Sequence, residues 1–212
     1  MSEYTLHCFA QSGNAYKVAL MLELSGADWS PVWVDFFNGA SRTPEFRETV
    51  NEMGEIPVLD HKGIRLSQSG VILDYLVSEL GTFGWKTEEE RREILRWILF
   101  DNHKLTSYTA TLRFLRMFAK TGETDVTAWL EGRAKGAYAV LDAHLNGRKF
   151  TIGDRPTIAD FSLCGYLFWP DEIGIDFSAY PNINRWLDAI RALPGWKSPY
   201  DLMPGHPLPA KS

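Results

Sequence analysis

Two polar turns hold the residues best placed to do chemistry. The first is Ala10-Gln-Ser-Gly-Asn-Ala15, between the end of a strand pattern and the start of a helix pattern. The second is Leu66-Ser-Gln-Ser-Gly70, another strand-to-helix turn with hydroxyl and amide groups at the helix start. The first N–H groups of a helix lack intrahelical partners and carry a positive partial charge, so such turns favour an anion, for example a thiolate. Two of them in one small domain suit a ligand with more than one charge. The same residues also serve as plain helix caps, Ser12 and Asn14 for one helix and Ser67 and Ser69 for the other. Residue type and spacing leave both readings open.

The rest of the composition narrows the chemistry. The two cysteines, Cys8 and Cys164, show neither a CxxC nor metal-ligand spacing, and the five histidines are scattered with no pair four residues apart. A protein-bound metal is therefore not expected. A net charge of -5 gives no long-range attraction to nucleic acid or to an anionic membrane. No apolar run approaches the roughly 20 residues that span a bilayer. Met1-Ser2-Glu3-Tyr4 lacks the basic and apolar regions of a signal peptide, and a reducing, cytoplasmic compartment is expected. A chain of 212 residues buries roughly 70% of its unfolded surface and needs no disulfide to hold it.

The elements that position the two turns follow from periodicity. Tyr4 to Ala10 reads as a strand, Asn14 to Ser25 as a helix closed by Gly26, and Trp29 to Phe36 as a second strand with Pro31 confined to its start or to an edge. Thr43-Pro44-Glu45 opens a short helix. Ile56–Asp60 and Ile64–Leu66 read as a hairpin joined by the three residues His61-Lys-Gly63, and Ser69 to Leu80 as a helix stopped by Gly81. This β-α-β-α-β-β-α order defines a domain over residues 1–80, followed by a linker at 81–87. Residues 88–212 carry no strand signal. Thr87 with Glu90 forms a capping box for a helix running to about Lys120, and Val126 to Leu145 shows a one-sided apolar stripe. Thr157-Ile-Ala-Asp160 is a second capping box, Pro181 to Ala192 a last helix, and the stretch from Pro194 a tail. The chain is thus an α/β unit fused to an all-α unit.

Four segments, in order and running through nearly the whole chain, resemble the cytosolic glutathione transferase superfamily. Ser12-Gly-Asn-Ala-Tyr-Lys17 resembles the catalytic turn of bacterial theta- and nu-like members, which have a serine-type active site. Met53-Gly-Glu-Ile-Pro-Val-Leu59 resembles the segment that holds the cis-proline of thioredoxin-like folds. Gln68-Ser-Gly-Val-Ile-Leu-Asp-Tyr-Leu76 resembles the (E/Q)-S-x-A-I-x-x-Y-L motif, and Gly153 to Asp160 the capping box of the helical domain.

The resemblance implies a thioredoxin-like glutathione-binding domain followed by an all-helical C-terminal domain that shapes a pocket for an electrophile. It implies that Ser12 donates its hydroxyl hydrogen to the sulfur of glutathione, with Asn14 flanking it, and that glutathione is a co-substrate with no metal involved. Ile56 would offer its backbone to the cysteinyl part, Pro57 would be cis, and Gln68 and Ser69 would hold the γ-glutamyl end. Arg42 is the candidate for the glycyl carboxylate, and Tyr108 and Trp169 for the electrophile pocket. The implied partners are glutathione, a small hydrophobic electrophile and a second copy of the chain in a homodimer, without nucleic acid or membrane. The implied activity is conjugation; nu-type disulfide reduction and a non-catalytic binding role are the alternatives. Several positions depart from the pattern: Asn51-Glu-Met-Gly54 replaces Asn-Pro-x-Gly, Glu55 stands where Lys or Arg is frequent, and Gln68 and Val71 replace Glu and Ala. Cys8 lies inside the strand, four residues before Ser12, and is expected to be a packed thiol, as is Cys164.

Overall fold

The structure, a computed structural model, describes residues 2–207. Backbone contacts divide the chain into two units: one comprises the chain up to Thr82 and its segment from Pro194 onward, the other Phe83–Leu193.

The first unit is built on a four-stranded sheet in the order β2-β1-β3-β4. The strands are β1 (Tyr4–Cys8), β2 (Trp29–Trp33), β3 (Val58–His61) and β4 (Ile64–Ser67). β1 pairs with β2 in parallel and with β3 antiparallel, and β3 pairs antiparallel with β4. Pro31 is tolerated because β2 is an edge strand. The hairpin is tighter than the sequence suggests. His61 pairs with Ile64, which leaves a two-residue turn of Lys62 and Gly63, both at positive φ (48° and 78°). That is the turn whose twist matches the twist of the flanking strands.

Helix α1 (Gly13–Leu24) is buried on nearly every side, and α3 (Ser69–Leu80) packs against it. Between them, a 3-10 turn at Ala40–Arg42 leads into α2 (Pro44–Thr49), whose cap Thr43 accepts the Phe46 N–H and whose first residue is the proline. Leu6, Cys8, Val18, Leu22, Leu59 and Leu73 are fully buried and form the centre of this unit. The stretch from Pro194 is more than a tail: it contains α10 (Pro199–Leu202), which packs on α1.

The second unit is helical. A continuous helical run holds α4 (Glu88–Phe100), a π turn at Asp101–Leu105, α5 (Thr106–Arg113) and a second π turn at Phe114–Phe118. Asp101 explains the first widened turn. Its buried carboxylate accepts Thr106 Oγ1 at 2.7 Å and Ser162 Oγ at 2.6 Å, tying the run to α7 (Ile158–Cys164). The box expected at Thr87 is half formed: Thr87 accepts the Glu90 N–H, but the Glu90 carboxylate takes the N–H of Lys86 and the guanidinium of Arg155. Helix α6 (Asp125–His144) buries Leu130, Ala134, Ala137 and Leu141 of the expected stripe and leaves Val126 exposed. The short α8 (Pro170–Ile173) and α9 (Pro181–Arg191) complete the unit. Asp160 is its polar centre. It accepts the N–H and hydroxyl of both Thr157 and Thr151 and the indole N–H of Trp186.

Candidate functional site

Strand register brings three separate segments to one end of the first unit's sheet. Val58 pairs with His7 on one side and with Ser67 on the other. The exit of β1, the entry of β3 and the exit of β4 are therefore neighbours. The turn bearing Ser12, the pair Ile56-Pro57 and the pair Gln68-Ser69 lie just beyond those three strand ends. Ile56-Pro57 is a cis peptide. Because β2 runs parallel to β1, the chain leading to Arg42 leaves the sheet at the same end.

Ser12 is the N-cap of α1 and is 5% exposed. Its Oγ accepts the Ala15 N–H at 3.1 Å, its carbonyl accepts the Tyr16 N–H, and its own N–H returns to the Phe9 carbonyl. A hydroxyl that accepts still has its hydrogen to give. The cap and the candidate thiol donor are thus compatible roles for one side chain. Asn14 lies one residue into the helix, and its buried Oδ1 finds no hydrogen-bond partner among the described residues. Cys8, inside β1, is fully buried, and burial pushes its thiol up to about 12. It has no role as a thiolate at neutral pH.

At the second turn Gln68 adopts φ 68°, ψ 112°, an arrangement that costs a non-glycine residue about 1–3 kcal/mol and tends to mark functional sites. The Gln68 amide donates to Glu55 Oε2 at 3.0 Å. Gln68 itself stands at the N-cap of α3, without a side-chain cap bond, so neither Ser67 nor Ser69 caps this helix; Ser69 is buried and begins it. The loop delivering Ile56 is held by Asn51, which donates to the Glu55 carbonyl and accepts the Met53 N–H. That role is legible in hindsight as the habit of Asn to bond its own backbone two residues on. Arg42 is exposed, with its guanidinium 5.9 Å from the centre of the Phe36 ring.

Tyr108 and Trp169, both in the second unit, have different surroundings. Tyr108 lines a cavity of about 260 Å³ with Phe100, Lys104, Arg133, Gly136 and Val140. Its hydroxyl accepts Arg133 Nη2 at 3.0 Å, and this bond holds the phenol below its usual range. Trp169 is buried under the Arg113 guanidinium, 3.7 Å from its ring centre, where Arg113 also pairs with Glu172. Trp169 is not among the described residues lining the Tyr108 cavity. Among the described residues no cluster of His, Cys, Asp or Glu could hold a metal ion, and no helix is long and apolar enough to cross a membrane.

Comparison with known proteins gives the same outline. Residues 2–78 match the family model of the glutathione S-transferase N-terminal domain, and residues 105–194 that of the C-terminal domain. A glutathione S-transferase structure from Pseudomonas fluorescens is 30% identical, with 94% of this chain and all of that one covered at a TM-score of 0.87. A structure described as a possible glutathione S-transferase of Rhodopseudomonas palustris is 33% identical, covering 93% and 98% at 0.87. A further P. fluorescens family member, with two glutathione molecules bound, is 27% identical over 92% of this chain and 90% of its own, at 0.79. Among curated relatives, elongation factor 1-gamma of Equus caballus is 25% identical over 88% of this chain, which spans only 44% of that protein's length.

Proposed function

We propose that this chain, which belongs to the glutathione S-transferase family, binds glutathione at the shared strand ends of its first unit and turns the thiol into a nucleophile for small hydrophobic electrophiles. The observation that carries this reading is the strand register that gathers Ser12, Pro57 and Ser69 at one sheet end. Ser69 and the start of α3 suit the γ-glutamyl carboxylate, an anion at a helix N-terminus. The backbone of Ile56, placed by the cis peptide just before β3, suits strand-like pairing with the cysteinyl residue. The Ser12 hydroxyl and the start of α1 then meet the sulfur. An ordinary thiol titrates near 8.5, so lowering it by about two units takes roughly 2.7 kcal/mol. One charge-assisted hydrogen bond and a helix terminus together supply that much. Ser12 is a donor in this scheme; the glutathione sulfur is the nucleophile.

Arg42 is the cation proposed for the glycyl carboxylate. Glu55 cannot take that role and instead orients Gln68, whose amide oxygen is left for the ligand's ammonium group. Tyr108 is retained as a candidate for the electrophile side, whereas the buried setting of Trp169 supports packing. A homodimer is proposed on the exposed apolar side chains of α4 and α6, among them Leu95, Leu99 and Trp129.

The test is calorimetric titration of glutathione into the wild type and Ser69→Ala, beside melts of the same samples. The proposal expects about a ten- to hundredfold loss of affinity, from a lost hydroxyl on a charged group. Undiminished affinity with a lowered melt would confine Ser69 to the stability of α3 and remove the binding site. A second reading, glutathione-dependent disulfide reduction, draws on the unpartnered Asn14 Oδ1 beside Ser12 and on the relative that binds two glutathione molecules. Turnover of a disulfide with glutathione, with none of an aromatic halide, would favour that reading over conjugation.

A further inference from the structure

The segment Met203–Pro207 lies along the Ser12 turn and bonds to it at successive residues. The Ala10 N–H donates to the Pro204 carbonyl at 2.8 Å. The Gln11 side chain then behaves as an extra peptide group: its Nε2 donates to the His206 carbonyl at 2.7 Å, and its Oε1 accepts the His206 N–H at 3.1 Å. This two-bond exchange is the pattern of a hydrogen-bonded pair in an antiparallel ladder. Gln11 is only 4% exposed, so breaking the exchange strands polar groups away from water. The His206 ring anchors the far end. It packs against Phe37 (4.5 Å between ring centres) and Trp33 (5.5 Å), and its Nε2 accepts the Phe37 N–H at 3.4 Å.

Gly205 shows how close the two segments run. Its φ is not in the left-handed region, so its backbone would accept alanine. A Cβ there, however, would stand 2.7 Å from Ala10 Cβ and 2.8 Å from Gln11 Oε1. The missing side chain serves the approach of the strap to the turn.

We propose that this C-terminal strap belongs to the thiol-activating site, and that Gln11 and His206 are positioning residues that hold the Ala10–Ser12 turn so that the Ser12 hydroxyl faces the sulfur. The inference rests on the reading of the Ser12 turn as the place where glutathione sulfur is bound. Within the turn, Ser12 is held through its N–H to Phe9 and through its capping bond. The strap adds restraint at the two residues just before it. A positioning role of this kind acts on the orientation of Ser12 and leaves the binding of the tripeptide's charged ends alone. Its loss therefore appears in turnover and in thiol ionisation while the Michaelis constant for glutathione stays put.

Two point variants of the full chain separate this from mere packing. Gly205→Ala forces the strap off the turn without touching Ser12. Gln11→Glu keeps an acceptor for the His206 N–H but sets a carboxylate oxygen against the His206 carbonyl. Each is assayed by ultraviolet titration of the bound glutathione thiol, by kcat and KM for glutathione, and by a melt. Both variants should titrate about one unit higher than wild type, with kcat down about tenfold and KM within about threefold. Unchanged thiol titration and kcat in folded variants, or a loss confined to KM or to the melt, would overturn the strap's role. If glutathione bound to the wild type titrates like the free thiol, the underlying site assignment fails, and that result is distinct from a strap that has no effect. Should Gly205→Ala fail to fold, Gln11→Glu, which adds no atom to the contact, carries the test.

Discussion

At the residue scale Ser12 joins an observed cap to the donor role proposed for it. Its oxygen accepts the Ala15 N–H, while its hydrogen is available to a ligand. Ser12→Ala removes both, but a lost cap costs only about 0.5–2 kcal/mol of stability. Turnover should fall far more visibly, by about ten- to a thousandfold, because the missing donor faces the charge on sulfur. Steady-state kinetics with glutathione and an aromatic halide would measure it; turnover within a factor of two of wild type would move thiol activation to Asn14 or to the helix terminus. Cys8 gives the converse prediction. With its thiol pushed up to about 12 by burial, the native protein should resist alkylation at Cys8 at neutral pH, and Cys8→Ala should keep the thiol chemistry of the site. Rapid labelling of Cys8 in folded protein, followed by mass spectrometry, would contradict the packing described here. Residue identity alone could not reveal the roles proposed for Gln11 and His206, which are 195 positions apart and meet where the Gln11 side-chain amide bonds the His206 backbone.

At the element scale the helix starts were the most legible features. The Thr43-Pro44 start, the stops at Gly26 and Gly81 and the Thr157–Asp160 box all depend on local chemistry within a few residues, and all are present. The hairpin and the Thr87 box were legible only in part. The pairing of His61 with Ile64 is decided across strands, and the Glu90 carboxylate is drawn away by Arg155, 65 positions on. The Asp160 carboxylate does more than its box requires, since it also gathers Thr151 and Trp186 in a site where it is fully buried. Asp160→Ala should therefore cost about 2–4 kcal/mol, above the usual value of a cap, because several buried donors lose their acceptor together. Denaturant melts should show the lowered midpoint, with near-normal glutathione affinity in the folded fraction. A midpoint equal to wild type would mean that the donors find other acceptors.

At the scale of the whole molecule, pattern and resemblance gave an α/β unit followed by helices, and the structure has both. The segment from Pro194 was not readable, because a run rich in proline and glycine carries no periodicity, and its fate is decided by contacts with α1 and the Ser12 turn at the opposite end of the chain. The proposed homodimer is also a property of this scale. Sedimentation equilibrium should give twice the chain mass, and Leu99→Glu, which puts a charge on an exposed apolar position of α4, should shift the population toward monomer. A wild-type monomer at micromolar concentration would remove the dimer from the account. Everything proposed for the first unit depends on its ionising a glutathione thiol. Ultraviolet titration of glutathione bound to the wild-type protein tests it most directly. The bound thiol should titrate about two units below the free value near 8.5, so that it is mostly thiolate at neutral pH. A bound thiol that titrates with free glutathione would contradict it.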